Sequence, residues 1–538
     1  MKHLRNTLLI FFALTVGFSL RAQPVRITDL NPSADHTFPD EGIRMVVMGN
    51  HLYFVADDGV HGAELWVSDG TANGTKLLKD IKSGSGSGSI SSLLIFNGKL
   101  YFSANDGIAG AELWVSDGTE AGTQLLTDLR AGSASASPRG FRIVGNVIYF
   151  AADKSINSTT LWKTDGTEAG TVEVVSSLIS ALSPSQLTAL GDKLYFVGPG
   201  SELWTTDGTD SGTVMVKEIA PGTTGPFITN MVALNGKLYF QAEDETLNDE
   251  PWVSDGTEAG TMKLKEISPG IEGSYPWKFH LFKGQVYFAA ANKIWRTDGT
   301  PAGTALFKNI TVFPANNDPA YFISDANYLY FPADDGVNGV ELWRSDGTPE
   351  GTVMLKNINN NFFSSEPKSF AWGSDGLLYF TAALSGFGEE LWKSDGTEAG
   401  TAIVADLYTG PGHAAPQSLK LLNGTLYFVA NDGIHGRELW KLDLTTAVKD
   451  PAWSKDLFSI APNPAGDVLH LTFPQHVSDD NCTVRLLSLS GQPLYTVAHS
   501  PAAAHYLDVP TTQLPDGLYL LEVVSGHRAQ VEKVVIQR

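Results

Sequence analysis

One carboxylate recurs at a fixed place along this sequence, in a turn that reads Ser-Asp-Gly-Thr or Thr-Asp-Gly-Thr. An enzyme rarely needs many identical catalytic residues, whereas a turn needs its Asp to accept hydrogen bonds from nearby backbone amides. We therefore predict that these aspartates are structural and that none of them is catalytic. The copies are Asp69, Asp117, Asp165, Asp207, Asp255, Asp298, Asp346 and Asp395.

Four acidic loops of the form Asp/Asn-Asp-Gly hold a second group of carboxylates. Clustered oxygen ligands suit a hard cation such as Ca²⁺, so the loops predict a candidate calcium- or ligand-binding rim. Solvated turns are the alternative. The candidate metal ligands are Asp57, Asp58, Asp106, Asp334, Asp335 and Asp432. Two histidines at one equivalent loop position, His61 and His435, are candidate ligand-binding residues.

No motif of a known catalytic or cofactor site occurs in the chain, whether a phosphate-binding loop, a dinucleotide fingerprint, His-Glu-x-x-His or Gly-x-Ser-x-Gly. We predict no catalytic residue, and no cofactor other than the candidate Ca²⁺. If the protein is an enzyme, the irregular stretch around Glu243, Asp244, Glu245, Asp249 and Glu250 is the best place to look, although a solvent loop explains it as well.

The charge of the chain excludes one class of partner. The formal net charge is −22 and the isoelectric point is about 4.9. Such an acidic surface repels phosphate backbones, so nucleic acid is not a predicted partner. Because Cys482 is the single cysteine, no disulfide within the chain can form, and the fold depends on its apolar core.

The N-terminus has the form of a secretory signal peptide. Basic residues come first, an apolar run follows from Leu8 to Leu20, and a small residue, Ala22, ends the segment. We predict a signal peptide over residues 1–22, cleaved between Ala22 and Gln23. Because no second apolar stretch of about 18 residues follows, we predict no transmembrane segment.

A repeat organises the rest of the chain, and its clearest marker is a Trp that occurs nine times at intervals of 42 to 49 residues. Each repeat contains four strand-like runs joined by turns. In the second repeat these runs are Lys76–Ile81, Ser89–Phe96, Lys99–Ala104 and Ala111–Ser116. The repeat Trp, which we expect to pack between repeats, is Trp66, Trp114, Trp162, Trp204, Trp252, Trp295, Trp343, Trp392 and Trp440.

Repeated four-stranded meanders predict an all-β fold over residues 23–444, a closed β-propeller of about nine four-stranded blades. The last repeat lacks a final strand, and the mature N-terminus offers a spare one, Val25–Leu30. We predict that this strand completes the last blade near Trp440 and closes the ring. Eight blades with one irregular repeat remain an alternative.

The repeat resembles the family named for its ELWxxDGT motif, and Glu390 to Thr397 matches that motif throughout. The resemblance covers about residues 25–443. Thr160 and Lys293 stand where the motif has Glu, and Pro251 stands where it has Leu. The resemblance implies an extracellular bacterial repeat protein and no particular activity. We expect the Glu to bond the backbone of a neighbouring repeat or to face water.

After a linker, residues 445–456, a different pattern of short strands predicts a small C-terminal β-sandwich, residues 457–538. The region is similar to the type A sorting domain of the type IX secretion system. The similarity lies in Pro462-Asn463-Pro464, Ser490-Gly491, Asp516-Gly517-Leu518-Tyr519 and Lys533-Val534-Val535-Ile536. It implies a Bacteroidota-type cell, the type IX machinery as a partner, and export through the periplasm with removal of the tag.

Together these features predict a secreted or cell-surface binding or adhesion scaffold, a monomer whose ligand is an extracellular glycan or protein. The alternative is a secreted enzyme that degrades polysaccharide or peptide, with its site in the channel of the propeller. The fold does not decide between them, because propellers host both kinds of function.

Overall fold

The computed structural model describes residues 23–538 apart from fourteen short stretches. These are 33–36, 39–43, 157, 175–183, 222–224, 271–272, 313–320, 360–362, 446–451, 454–457, 475–481, 488–492, 502–503 and 526–527. The predicted signal peptide, Ala22 included, and most of the predicted linker lie outside the described residues, whereas Gln23 is described and exposed. Contacts separate an N-terminal region, Gln23–Asp443, from a C-terminal region, Leu444–Arg538.

The described residues of the N-terminal region form nine four-stranded antiparallel sheets, numbered here 1 to 9 along the chain. The all-β prediction is confirmed, and the short 3-10 helix Pro199–Ser201 is the one helical segment among the described residues. The strands, sheet by sheet, are Met45–Met48, His51–Asp57, Ala63–Ser68 and Lys76–Lys79; Ser91–Phe96, Lys99–Asn105, Ala111–Ser116 and Gln124–Thr127; Arg139–Val144, Val147–Ser155, Ser158–Thr164 and Val172–Glu173; Ser185–Leu190, Lys193–Val197, Leu203–Thr206 and Val214–Lys217; Thr229–Leu234, Lys237–Glu243, Asp249–Ser254 and Met262–Lys263; Trp277–Phe282, Gln285–Ala290, Lys293–Thr297 and Ala305–Lys308; Ile323–Ser324, Leu329–Asp334, Val340–Ser345 and Thr352–Lys356; Lys368–Trp372, Leu378–Leu384, Gly388–Ser394 and Ala402–Ala405; and Gln417–Leu422, Thr425–Asn431, Arg437–Asp443 and Val25–Arg26.

The second strand of a sheet is buried on both faces. In sheet 2, Leu100 and Phe102 pack in one cluster with residues of sheet 1, and Tyr101 packs in another with residues of sheet 3. Trp114 lies opposite Phe102 in the strand register and joins the cluster with sheet 1. An apolar run bounded by turns is the sequence pattern of a strand covered on both sides. The repeat Trp therefore packs between sheets.

The boundaries of the sheets differ from those of the sequence repeats. Lys76–Lys79, predicted within the second repeat, pairs with Ala63–Ser68 and so belongs to sheet 1. Each fourth strand thus comes from the start of the next sequence repeat, and the chain then crosses to the next sheet through a linker. This offset leaves sheet 9 without a fourth strand of its own.

The N-terminal strand fills that place in sheet 9. Val25–Arg26 pairs antiparallel with Arg437–Asp443, with Val25 opposite Lys441, and the backbone N–H of Ile27 donates to the Leu439 carbonyl at 2.8 Å. The strand is shorter than the predicted Val25–Leu30. Pairing removes an exposed edge from the last sheet.

Sheet 9 also contacts sheet 1 as other neighbouring sheets contact each other. Lys441 Nζ of sheet 9 donates to the Gly70 carbonyl of sheet 1 at 2.8 Å. Lys163 Nζ of sheet 3 makes the same contact with the Gly208 carbonyl of sheet 4. One apolar cluster holds Phe54 of sheet 1 together with Tyr427 of sheet 9. The first and last sheets are therefore packed together.

In the C-terminal region, the residues that the structure describes form two sheets that share one apolar core. Leu469 and Val509 of one sheet and Val484 and Val534 of the other are fully buried in that core. The strands are, in spatial order, Ala452–Trp453, Arg528–Ile536, Gly517–Ser525, Cys482–Leu487 and Pro493–His499 in the first sheet, and Ser459–Ala461, Val468–Thr472 and Tyr506–Pro510 in the second. Within the described part of the chain, no helix has the length and apolarity needed to cross a membrane.

The Pro-Asn-Pro segment joins the final strand of this region. Asn463 Nδ2 donates to the Lys533 carbonyl at 2.8 Å, and Asn463 Oδ1 accepts from the Val535 N–H at 2.8 Å. Ala465 continues this pairing, because its N–H donates to the Val535 carbonyl at 2.7 Å. The amide of Asn463 thus acts as an extra peptide group alongside the last strand.

Candidate functional site

The recurring Asp of the Asp-Gly-Thr turn folds its own turn. In sheet 2, Asp117 Oδ1 accepts from the Thr119 N–H at 2.9 Å and from Thr119 Oγ1 at 2.7 Å. These bonds stabilise the carboxylate and lower the pKa of Asp117. The same pair of bonds forms at all eight copies, the other seven being Asp69, Asp165, Asp207, Asp255, Asp298, Asp346 and Asp395.

The Glu of the Glu-Leu-Trp motif is buried and holds the linker to the next sheet. Glu112 is fully buried, and its carboxylate accepts from the Leu129 N–H at 2.8 Å and the Ala136 N–H at 2.9 Å. Burial raises the pKa of Glu112 to about 7, against the opposite effect of these two donors. Equivalent bonds hold the linkers at Glu64, Glu202, Glu250, Glu341, Glu390 and Glu438.

The acidic loop of sheet 1 is closed by its own hydrogen bonds. Asp57 Oδ1 accepts from the Gly59 N–H at 2.8 Å, and Asp58 Oδ1 accepts from the N–H groups of Val60 and His61. Burial alone would raise the pKa of Asp58, but the hydrogen bonds from His61 and Val60 lower it overall. The carboxylates that were predicted to bind calcium are therefore already hydrogen-bonded within the loop.

The other acidic loops repeat this geometry in sheets 2, 7 and 9. Asp106, Asp335 and Asp432 each accept from two N–H groups of their own loop, and Asp334 Oδ1 accepts from the Gly336 N–H at 2.6 Å. Across the described residues, no three His, Cys, Asp or Glu side chains lie close enough to share a metal ion. Calcium binding stays a prediction, and the hydrogen bonds within the loops do not support it.

The two candidate histidines lie in sheets 1 and 9, and each has a partner in its own loop. His61 Nδ1 lies 2.7 Å from Asp58 Oδ2, and His435 Nδ1 lies 2.7 Å from Asp432 Oδ2. The hydrogen bond to Asp58 raises the pKa of His61. The contacts give both histidines a structural role, and ligand binding by them stays a prediction.

Three carboxylates of the irregular stretch in sheet 5 are engaged in separate contacts. Asp244 Oδ2 pairs with Lys263 Nζ at 2.7 Å, and Asp249 Oδ1 accepts from Gln241 Nε2 at 2.6 Å. Glu250 is fully buried as one of the glutamates that hold a linker. Glu243 lies opposite Asp249 in the strand register, and burial together with the charge of Asp249 raises the pKa of Glu243.

A cavity of about 500 Å³ beside sheet 6 is the feature that sequence reasoning missed. The chain signals it in two places. The second and third strands of sheet 6 are joined by two residues, Ala291 and Asn292, and two aromatic residues lie at the entry to the sheet, Tyr275 in the linker and Trp277 at the start of the first strand. The cavity is lined by Ser268, Gly273, Ser274, Tyr275, Trp277, Ala291 and Asn292.

Comparison with known families decides the role of the C-terminal region. Residues 459–537 match the family model of the secretion system C-terminal sorting domain. The protein is therefore exported, either released or held at the cell surface. The match falls within the C-terminal region, so the resemblance of residues 25–443 to a repeat family stays a prediction. No curated protein is significantly similar in sequence to the chain.

Solved structures show only loose likeness to the chain. A puromycin hydrolase is 11% identical over 76% of this chain and 61% of its own, with a TM-score of 0.38. A prolyl endopeptidase structure is 12% identical over 63% of this chain and 54% of its own, with a TM-score of 0.35. The extracellular domain of a one-component system from B. thetaiotaomicron is 10% identical over 93% and 88%, with a TM-score of 0.24. We assign neither fold nor function from scores this low.

Proposed function

We propose that residues 23–444 form a closed, nine-bladed β-propeller that acts outside the cell as a non-catalytic binding scaffold, exported by the type IX secretion machinery. The observation that carries the functional part is the engagement of the repeated Asp and Glu carboxylates. Each accepts hydrogen bonds from its own turn or linker, as at Asp117 and Glu112. Carboxylates that already accept hydrogen bonds from their own turn or linker suit a structural role better than a catalytic one.

Two contacts support the closed ring. Val25–Arg26 supplies the fourth strand of sheet 9, and Lys441 reaches Gly70 of sheet 1 with the hydrogen bond seen between sheets 3 and 4. A ring built this way brings together the acidic loops of sheets 7, 9, 1 and 2 on one arc. Calcium at that arc is a subsidiary proposal, which calorimetry and melting with added Ca²⁺ test: no heat and no shift in Tm would end it.

Exposed apolar tips on the loops between second and third strands favour a binding role. Ile108 is 77% exposed and Ile434 is 81% exposed, at the tips of two acidic loops. Large apolar side chains gathered on one face of a soluble protein are typical of interaction surfaces. The tips are Val60, Ile108, Ile156, Leu247, Val337, Phe387 and Ile434.

Retention and turnover, measured together, test this proposal. The mature chain, beginning at Gln23, is passed over immobilised polysaccharides and extracellular proteins, and the eluate is assayed for released sugars and peptides. We expect retention on at least one material with no product released. Sustained release of oligosaccharide or peptide would contradict a binding scaffold and favour a secreted polysaccharide- or peptide-degrading enzyme.

A further inference from the structure

Sheet 6 differs from the sheets that carry an acidic loop in the connection between its second and third strands. Ala291 and Asn292 form a two-residue turn there, with φ of 47° and 55°. In sheet 2 the same connection is the acidic loop between Asn105 and Ala111, which extends further from the strands. Sheet 6 therefore lacks the loop that the regular sheets carry at this place.

In sheets 2 and 9 that loop covers the preceding linker. A Cβ on Gly107 of the sheet 2 loop would lie 3.5 Å from the Lys82 side chain, and one on Gly433 of the sheet 9 loop would lie 2.6 Å from the Tyr408 ring. Both side chains occupy the equivalent position in their linkers, and the glycine of the loop packs directly on them. In sheet 6 this position is Ser268, a small residue, and no such loop packs on it.

The end of this linker and the start of the first strand carry two aromatic residues where sheet 2 has serine. Tyr275 has a φ of 47° and aligns with Ser89, whose φ is 50°, so the backbone is the same and only the side chain differs. Trp277, at the start of the first strand, aligns with Ser91. Tyr275 is 56% exposed, although a ring of this size normally gains by burial.

Packing fixes one of these two rings. Trp277 is half-buried and meets Tyr321 edge to face, with the ring centroids 4.6 Å apart. Ser274 is fixed as well, because its hydroxyl donates to Glu250 at 2.5 Å. The cavity thus has a firm wall at Trp277 and an exposed ring at Tyr275.

We propose that this cavity beside sheet 6 is a binding site for a neutral carbohydrate. This site rests on the proposed binding function and gives it a class of ligand. Aromatic faces suit the C–H face of a sugar ring, and the hydroxyl of Ser268 and the amide of Asn292 offer hydrogen bonds to its hydroxyls. None of the described residues that line the cavity is charged, which favours a neutral ligand over an ionic one. The volume of about 500 Å³ lies in the range of small-ligand sites.

Replacing Tyr275 with the residue that sheet 2 has at this place tests the site. Tyr275→Ser restores the residue that Ser89 provides at the same backbone conformation, so the fold is preserved. Phe227→Ser is the matched control, because Phe227 has a φ of 45° at the equivalent position before sheet 5 and is 48% exposed. The probes are immobilised xylan, mannan, β-1,3-glucan and starch, with polygalacturonate and a proline-rich peptide as charged and peptide comparators.

The mature wild-type chain and Phe227→Ser should bind the same neutral polysaccharide with equal affinity. Tyr275→Ser should bind it roughly tenfold or more weakly, as the loss of an aromatic anchor does elsewhere. Asn292→Gly, which keeps the positive φ and removes the amide, should weaken binding severalfold, and it keeps the test valid if Tyr275→Ser melts early.

Each remaining outcome overturns a stated part of the inference. Unchanged binding by Tyr275→Ser and Asn292→Gly would refute the site while leaving a binding scaffold in place. No retention on any neutral polysaccharide, or retention on the proline-rich peptide through Tyr275, would refute the ligand class. Release of oligosaccharide by the wild-type chain would refute the proposed non-catalytic function. The comparison of binding by the wild-type chain and by Tyr275→Ser would still show whether the cavity is the binding site.

Discussion

Sheets 2 and 6 have the same four-stranded architecture, but the linker before the sheet is covered in sheet 2 and uncovered in sheet 6. In sheet 2 the linker side chain Lys82 lies under the glycine of a full loop. In sheet 6 the loop is reduced to Ala291 and Asn292, and the linker is left facing a cavity. The same four-stranded architecture therefore has a closed surface in sheet 2 and an open pocket in sheet 6.

The difference separates the residues that build the fold from those available for binding. Where the sequence repeats, polar side chains such as Glu112 hold backbone groups of the same chain. Where it departs, Tyr275 is exposed beside a cavity. In a repeat protein, the position that differs from its own copies is thus the informative one.

The largest expected effect comes from a buried glutamate of a regular sheet. Glu112→Ala removes the acceptor for the buried Ala136 N–H and the half-buried Leu129 N–H, so we expect the free energy of unfolding to fall by about 4 kcal/mol. Chemical denaturation measures it. The control is Glu120→Ala, at an exposed turn residue, which should stay within about 0.5 kcal/mol of wild type. Equal effects of the two variants would remove the structural role assigned to Glu112.

A glycine at a seam between sheets should have the next largest effect. Gly118 has a φ of 93°, and a Cβ there would lie 2.4 Å from Tyr53 Oη of sheet 1. Gly98→Ala is the control, because Gly98 has a φ of 72° with nothing within 4 Å of such a Cβ. We expect Gly118→Ala to destabilise by about 3 kcal/mol and Gly98→Ala by about 1 kcal/mol in denaturant unfolding. A loss of stability for Gly118→Ala no larger than that for Gly98→Ala would mean that the seam is not tightly packed.

Stability should fall as pH rises, because burial raises the pKa of five linker-holding glutamates to about 7. These are Glu64, Glu112, Glu341, Glu390 and Glu438. In the unfolded chain the pKa returns to its ordinary value of about 4.5, so between these values the folded state binds more protons and loses stability with rising pH. We expect a lower Tm at about pH 8 than at about pH 5.

A glutamine variant isolates one of these groups. Glu112→Gln cannot ionise and should show a shallower decline of Tm with pH than wild type, whereas Glu120→Gln should follow wild type. A Tm that rises over this pH range would show that the N–H donors to the carboxylates outweigh their burial.

The smallest expected effect on stability belongs to sheet 6. Because Tyr275 is largely exposed and Ser89 adopts the same conformation in a regular linker, Tyr275→Ser should change the free energy of unfolding by less than about 0.5 kcal/mol. Denaturant unfolding of this variant beside Glu112→Ala gives the contrast. A loss of several kcal/mol for Tyr275→Ser would make the ring part of the core.

Local sequence signals predicted most of the fold. Asn97 and Gly98 tolerate positive φ and so mark the first hairpin of sheet 2, and the buried run Leu100–Ala104 marks its second strand. The nine repeat Trp residues indicated about nine copies. These features depend on residues close together in the chain, which is why the sequence suffices for them.

Contacts between residues far apart in the chain could not be predicted from the sequence. Glu112 holds Leu129 and Ala136, 17 and 24 residues further on, and nothing local distinguishes these donors from other linker N–H groups. The cavity depends on which loop covers which linker, so the short turn at Ala291 was visible as an irregularity but not as an opening. The offset between repeats and sheets was likewise hidden, because it is set by the pairing of strands.

The most direct test of this account is a disulfide between the two ends of the N-terminal region. Val25 and Lys441 face each other across an antiparallel pair, where Cα atoms lie about 5.5 Å apart, a spacing that suits a disulfide. Cys482 can stay, because burial raises the pKa of its thiol to about 11. Oxidation of Val25→Cys/Lys441→Cys should cross-link each chain to itself and raise the Tm. Free thiols after oxidation, or cross-links between chains, would contradict the closed ring.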